Sequence, residues 1–308
     1  MNIILALLTA ALWGTTYGVT QYTLPDWPPL LLGAIRALPA GVILWCFRPK
    51  FPVRDHGLAL LKLGAVNIAL FFSLIFVMAH TLPSAISGVG MVSVPLFAMI
   101  FQFLVLKHKP TGPQILAGVL LLVLGLMLFN PASLTLNPVG LAAMFAAISC
   151  IILGSRMTQT LSGRLHWWDV LVWQLILGGA LLALVSTGQW LIAPSGFAAV
   201  ADGISGREFA GIAWIVLFNT VLAYGLYVFL MQRMSIVDFT FGGIANPITG
   251  IALGVLLIGE QYSHTQYMLM AGMIVSSLLP SLWLSRKPKP DIGTAKKSAS
   301  YGRHKSIS

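Results

Sequence analysis

Apolar residues fall in long blocks along this chain, parted by short polar breaks. Ten blocks of about 20 residues can be drawn, roughly 2–22, 29–48, 58–80, 84–106, 111–129, 138–158, 168–190, 209–231, 237–259 and 264–285. A helix of that length crosses the hydrocarbon core of a bilayer. The breaks hold Pro, Asn and charged residues, as in Pro25-Asp-Trp-Pro-Pro29, Lys107-His-Lys-Pro110 and Asn130-Pro131. Such clusters end helices. A membrane β-barrel would show short alternating segments instead. Within lipid, runs this long satisfy their backbone polar groups only as helices. The pattern predicts an all-α membrane protein with ten transmembrane helices. The first block lacks a basic flank and runs to about Tyr22. It reads as a retained helix rather than a cleaved signal.

The pattern also repeats. The stretches His80 to Pro95 and Gln232 to Pro247 each leave an apolar block on a polar residue, cross small residues and reach a proline. The same offset of 152 pairs Asn67 with Asn219, Phe72 with Tyr224 and Gln114 with Gln266. A period of half the chain is a duplication, not a solenoid. It divides the chain into a first five-helix repeat (1–130), a second (131–285) and a tail (286–308). Five is odd, so the second repeat enters the membrane upside down. The expected fold is two inverted five-helix repeats around a central cavity. Secondary transporters are built this way, with substrate bound near the midplane between repeats. Duplication for packing symmetry alone is the plainer alternative.

Composition agrees with the membrane. The 308 residues are 57% hydrophobic and 8% charged, with mean hydropathy +0.89. Soluble domains carry roughly 25% charged residues, so these are too few to build a water-facing surface. The net charge of +10 would suit nucleic acid, but its distribution does not. With the N-terminus inside, all of the eighteen Lys and Arg except Arg36 and Arg207 fall on the cytoplasmic side. The opposite loops carry Asp26, Asp202, Glu208 and Glu260. This bias predicts a multi-pass protein of the cytoplasmic (inner) membrane with both termini cytoplasmic. Cys46 and Cys150 each lie in an apolar run, with no disulfide or metal spacing. The tail from Arg286 is basic and Ser-rich, expected to be disordered and to lie on anionic lipid.

Several motifs together resemble a known family. They are Trp13-Gly14, Arg36, the small-residue run to Pro95 with Gln114 and Gly118 beyond it, and the run to Pro247 with Gly259-Glu260 and Gln266. With ten helices, the constellation resembles the drug/metabolite transporter superfamily in its EamA-type exporter branch, over about residues 2–285. Its aromatic content is most similar to the amino-acid exporters of that branch. One departure stands out: the family often has an acidic residue after the fourth helix, where this chain has Lys107-His108. A mirrored role for Glu260 is therefore not expected. The resemblance implies a basket of helices 1–4 and 6–9, with helices 5 and 10 at the periphery. It implies cavity residues from the middles of helices 1, 3, 4, 6, 8 and 9.

Arg36 is the only charged residue deep in a span. An intramembrane charge is a functional candidate by default. It can bind a substrate carboxylate, cap carbonyls between helices or snorkel. Because substrates vary widely across such a family, the structural role is the expected one. No Asp or Glu lies mid-span, which weakens both proton relays and cation pumping. His80 is the titratable candidate for coupling, against the plainer reading of an interfacial residue. The candidate substrate site comprises Trp13, Tyr17, Phe72, Phe76, His80, Met91, Trp173, Asn219, Tyr224, Tyr227 and Asn246. Apolar walls with a few polar groups suit a small molecule, although rings of this size also fill cores. Gly88, Gly90, Gly242 and Gly243 precede Pro95 and Pro247. Each proline removes a helix hydrogen bond, so these segments are the expected gates. Gly14-x-x-x-Gly18 and Gly250-x-x-x-Gly254 read as packing seams.

No Walker A loop, His-Glu-x-x-His or zinc pattern occurs. No enzymatic activity, cofactor or metal is expected. The expected function is export of small metabolites, aromatic or neutral amino acids foremost, by alternating access. A passive channel, or export of drug-like or other metabolites, stays open. The expected partners are a small-molecule substrate and the lipid bilayer, without nucleic acid. A monomer is compatible with this function.

Overall fold

The computed structural model describes residues 2–51, 56–107, 109–129, 136–161, 163–201, 203–231, 233, 239 and 243–285. Among these there is no β-strand. The helices are α1 (Asn2–Thr23), α2 (Pro29–Phe47), α3 (Gly57–Thr81), α4 (Ser84–Phe101, continuing to Leu106), α5 (Gly112–Leu128), α6 (Pro138–Leu161), α7 (Trp167–Ile192), α8 (Gly206–Met231), α9 (Ala245–Ile258) and α10 (His264–Ser285). Seven of them, α1–α4 and α6–α8, are long and apolar enough to cross a membrane. The chain is a multi-pass, all-helical membrane protein. Helices α5 and α9 are apolar but shorter. The 17 residues of α5 rise about 26 Å, against a hydrocarbon core of about 30 Å. Helix α10 has 22 residues. The expected Gly242, His108 and the tail from Arg286 lie outside the described residues.

The polar breaks act as the sequence demands. Pro29 opens α2, where a missing N–H costs nothing. Thr111 with Gln114, and Ser205 with Glu208, form capping boxes at the starts of α5 and α8. Along α5, Leu116, Val119, Leu122, Val123 and Leu126 are exposed at helical spacing. That stripe is the lipid-facing side of the bundle. Helix α5 packs against α10.

Six helix pairings dominate the interior, among them α3 against α7, where Gly64 and Gly178 meet backbone to backbone. Helix α1 runs along α9, α2 against α7, α3 against α6, α4 against α9 and α1 against α8. Gly14 carries the first of these: a Cβ there would run into the Thr249 hydroxyl and the Asn246 carbonyl of α9. Gly88 and Gly250 bring α4 and α9 together backbone to backbone. Four helices carry irregular stretches, one of them the π-helical residues 254–258 of α9. Residues 65–70 and 214–222 wind as π-helix and contain Asn67 and Asn219. Residues 91–93 form a 3₁₀ turn just before Pro95. Proline cannot donate to the carbonyl one turn back, so the helix tightens there.

Candidate substrate cavity

A cavity of about 170 Å³ lies within the bundle. Helices α1, α3, α4, α6, α8 and α9 all contribute to its wall, as do Arg36 of α2 and Ser277 of α10. The last two helices go beyond the set that the resemblance implies. Phe239, beyond the end of α8, also lines it. A wider groove of about 580 Å³ lies between α2, α7 and residues 194–201. Its described lining carries no charged side chain.

The aromatic wall is built on α1 and α8. Trp13 and Tyr17 are one turn apart on α1 and share a face; both line the cavity. The Trp13 indole N–H donates to the Asn219 carbonyl at 3.2 Å. The Trp13 ring lies 5.2 Å from Tyr227 and 6.5 Å from Phe239, and Tyr227 lies 5.6 Å from Phe239. These separations suit edge-to-face packing. The Tyr227 hydroxyl pairs with the Ser155 hydroxyl at 2.7 Å. Met91, Pro95, Gly243, Asn246 and Pro247 complete the expected residues found on the wall.

The remaining expected residues stand elsewhere. Tyr224 is fully buried behind Trp13 and Tyr227, its ring centroid 5.8 and 5.3 Å from theirs. Its hydroxyl donates to the Asn67 carbonyl at 3.2 Å. Phe72 packs edge-on to Tyr224 and under the Arg36 guanidinium, 4.1 Å from ring centroid to Cζ. Phe76 is fully buried in a separate cluster with Leu24 and Trp27. Asn219 spends its amide on α1, donating to the Leu12 carbonyl and the Thr16 hydroxyl. His80 contacts the Phe76 and Leu24 carbonyls at 2.7 and 3.0 Å. It ties α3 to the loop after α1, away from the cavity. Trp173 donates to the Lys50 carbonyl and sits beside Phe51. Gly88 lies in the α4–α9 crossing, and a Cβ on Gly90 would meet the Met144 thioether.

Phe71, Ile75, Ser155, Met231 and Phe239 line the cavity without having been singled out. Phe71 and Ile75 are one turn apart, so choosing Phe71 over Phe72 as the inward ring would have found both. Nothing in an all-apolar stretch makes that choice.

Arg36 is held at the polar end. Its Nε donates to the Thr220 hydroxyl at 2.9 Å and its Nη2 to the Asn219 carbonyl at 3.3 Å. Both acceptors lie in or beside the π-helical stretch of α8. Asn246 stands on the same wall as Tyr17, and its Oδ1 is buried without a partner. The site thus has one polar end and an aromatic remainder. No Asp or Glu is among its described lining residues, and no cluster able to hold a metal occurs among the described residues.

The sequence profile of the EamA-like transporter family matches residues 1–130. The chain is 31% identical to Protein PecM of Dickeya dadantii, covering 85% of this chain and 86% of that protein. It is 27% identical to the uncharacterized inner membrane transporter YedA of Escherichia coli (strain K12), covering 88% and 87%. It is 24% identical to a probable amino-acid metabolite efflux pump of Salmonella typhimurium, covering 88% and 93%. A crystal structure 17% identical in sequence superposes with a TM-score of 0.65 over 93% of this chain and 99% of the other, a likeness of fold alone. A family profile over the first five helices and relatives along the greater part of the chain agree: this protein belongs to the EamA-like transporters of the drug/metabolite transporter superfamily.

Proposed function

We propose that this transporter exports small, partly apolar metabolites across the inner membrane, aromatic or neutral amino acids foremost. The observation that carries it is the cavity whose wall draws on both halves of the chain, aromatic at one end and polar at the other. Its size of about 170 Å³ lies below the ~300–1,000 Å³ of drug-sized sites, which favours small metabolites. A relative is named a probable amino-acid metabolite efflux pump, in keeping with this.

Alternating access is the mechanism that the packing supports. Helix pairs α2–α7, α4–α9 and α5–α10 each join a helix to its counterpart five places on. The paired Asn67 and Asn219 both sit in π-helical stretches. These features support two inverted five-helix repeats rocking about a shared site. The basic residues support both termini being cytoplasmic. The test is flux of radiolabelled aromatic and neutral amino acids in proteoliposomes of the purified protein. Saturable flux with counterflow is expected. Absence of flux removes the substrate assignment, and flux that never saturates favours a passive channel.

A further inference from the structure

We propose that Arg36 anchors a carboxylate group of the solute held in the cavity. This rests on reading the cavity as the substrate site, and it names the chemical class that the site takes. Arg36 is 3% exposed and lines the cavity wall. A guanidinium carries five N–H donors in a planar fork and keeps its charge in proteins. Only Nε and one Nη2 donor are engaged, both by neutral oxygens of α8. Among the described residues no hydrogen bond engages Nη1 and no carboxylate pairs with the group. The Phe72 face supports the cation from behind.

A brace between α2 and α8 needs only a neutral donor for those two bonds. The charge and the free edge of the fork go beyond bracing. A buried fork with open donors fits a carboxylate, which it holds by two parallel bonds. The rest of the polar end agrees. The Asn246 Oδ1 is a buried acceptor without a partner. Tyr17 lines the same cavity as both groups. A solute carboxylate would sit on Arg36, and a hydroxyl or amino group beside it would donate to Asn246. The apolar body would lie against Trp13, Tyr227 and Phe239. A solute whose only charge is positive has no described acidic partner there. The class is therefore small carboxylates with an apolar or aromatic body.

The test compares three ligands of matched chain length on purified full-length protein: 3-phenylpropionate, 3-phenylpropionamide and 3-phenylpropylamine. Binding is read as Kd from ligand-induced shifts in Tm. The acid is expected to bind at least about tenfold tighter than the amide or the amine. In Arg36→Gln the acid should fall to the level of the amide, while the amide is unchanged. Arg36→Lys keeps the charge without the fork and should lie between. Equal binding of acid and amide by the wild-type protein overturns the proposal, as does an acid preference that survives Arg36→Gln. Failure of all three ligands to bind overturns it too. If Arg36→Gln does not purify as folded protein, the wild-type comparison and Arg36→Lys decide. Acid-selective binding without flux in proteoliposomes would remove the transport function and leave the anchor. Equal flux of all three would do the reverse.

Discussion

At the residue scale, two rings with the same expected role separate in the structure. Trp13 is half-buried on the cavity wall, whereas Tyr224 is fully buried one layer behind it. Replacing Tyr224 by Ala opens a void among Trp13, Phe72 and Tyr227. Large-to-small changes of this kind cost about 3–5 kcal/mol in soluble cores. Tyr224→Ala should therefore lower the melting temperature of the purified protein, with transport lost in parallel. Trp13→Ala removes wall rather than core. It should cut flux by about tenfold or more, equivalent to about 1.4 kcal/mol of lost contact, with little change in melting temperature. A fall in melting temperature equal to that of Tyr224→Ala would make Trp13 a packing residue. The sequence singles out the aromatic set but not its layering. Helices that are apolar on every side have no polar stripe to fix which face points inward. Tyr224 and Tyr227, one turn apart, end up as backing and wall.

At the scale of elements, the apolar blocks locate the helices well: 2–22 and 29–48 are observed as Asn2–Thr23 and Pro29–Phe47. Length and hydropathy fix such runs because the bilayer admits no other backbone arrangement. What joins the elements is not legible. Glu260, in the short loop between α9 and α10, accepts from the backbone N–H of Ser84 at 2.5 Å and of Ala85 at 3.1 Å. It also accepts from the Tyr262 hydroxyl at 2.9 Å. A carboxylate there satisfies free N–H groups at the start of α4 and meets the positive end of its dipole. Burial, and then the Glu260 charge, push the Tyr262 phenol up, so it stays protonated as the donor. The clasp binds the first half of the chain to the second across 176 positions. No local pattern marks such a pairing. Glu260→Ala and Tyr262→Phe each remove hydrogen bonds that involve a charged group and should each cost about 1.5–3 kcal/mol. Melting temperatures of the two variants, with amide exchange at residues 84–87, measure this. Unchanged protection of those amides in Glu260→Ala would mean that water replaces the clasp without loss.

For the whole molecule, the open issue is which helices cross, and α9 decides it. Its 14 described residues, Ala245–Ile258, are the shortest apolar helix of the bundle. The sequence extends this block back to about residue 237, because Phe239 to Ile244 continue the apolar run. Packing supports a full crossing: α9 lies along both α1 and α4, helices that are themselves long enough to span. The charges support it independently, since Arg233 and the basic tail share a side only if two helices lie between them. Sided labelling of single cysteines, introduced after replacing Cys46 and Cys150, tests both. Gly163 and Gly203 flank α7 alone, so Gly163→Cys should label from the cytoplasmic face and Gly203→Cys from the other. Between Gly203 and Lys289 lie α8, α9 and α10. If all three cross, Lys289→Cys labels from the cytoplasmic face, with Gly163→Cys. If α9 enters and leaves by one face, only two cross, and Lys289→Cys labels with Gly203→Cys. That second outcome would leave the halves with unequal numbers of crossings and remove the inverted repeat on which alternating access depends.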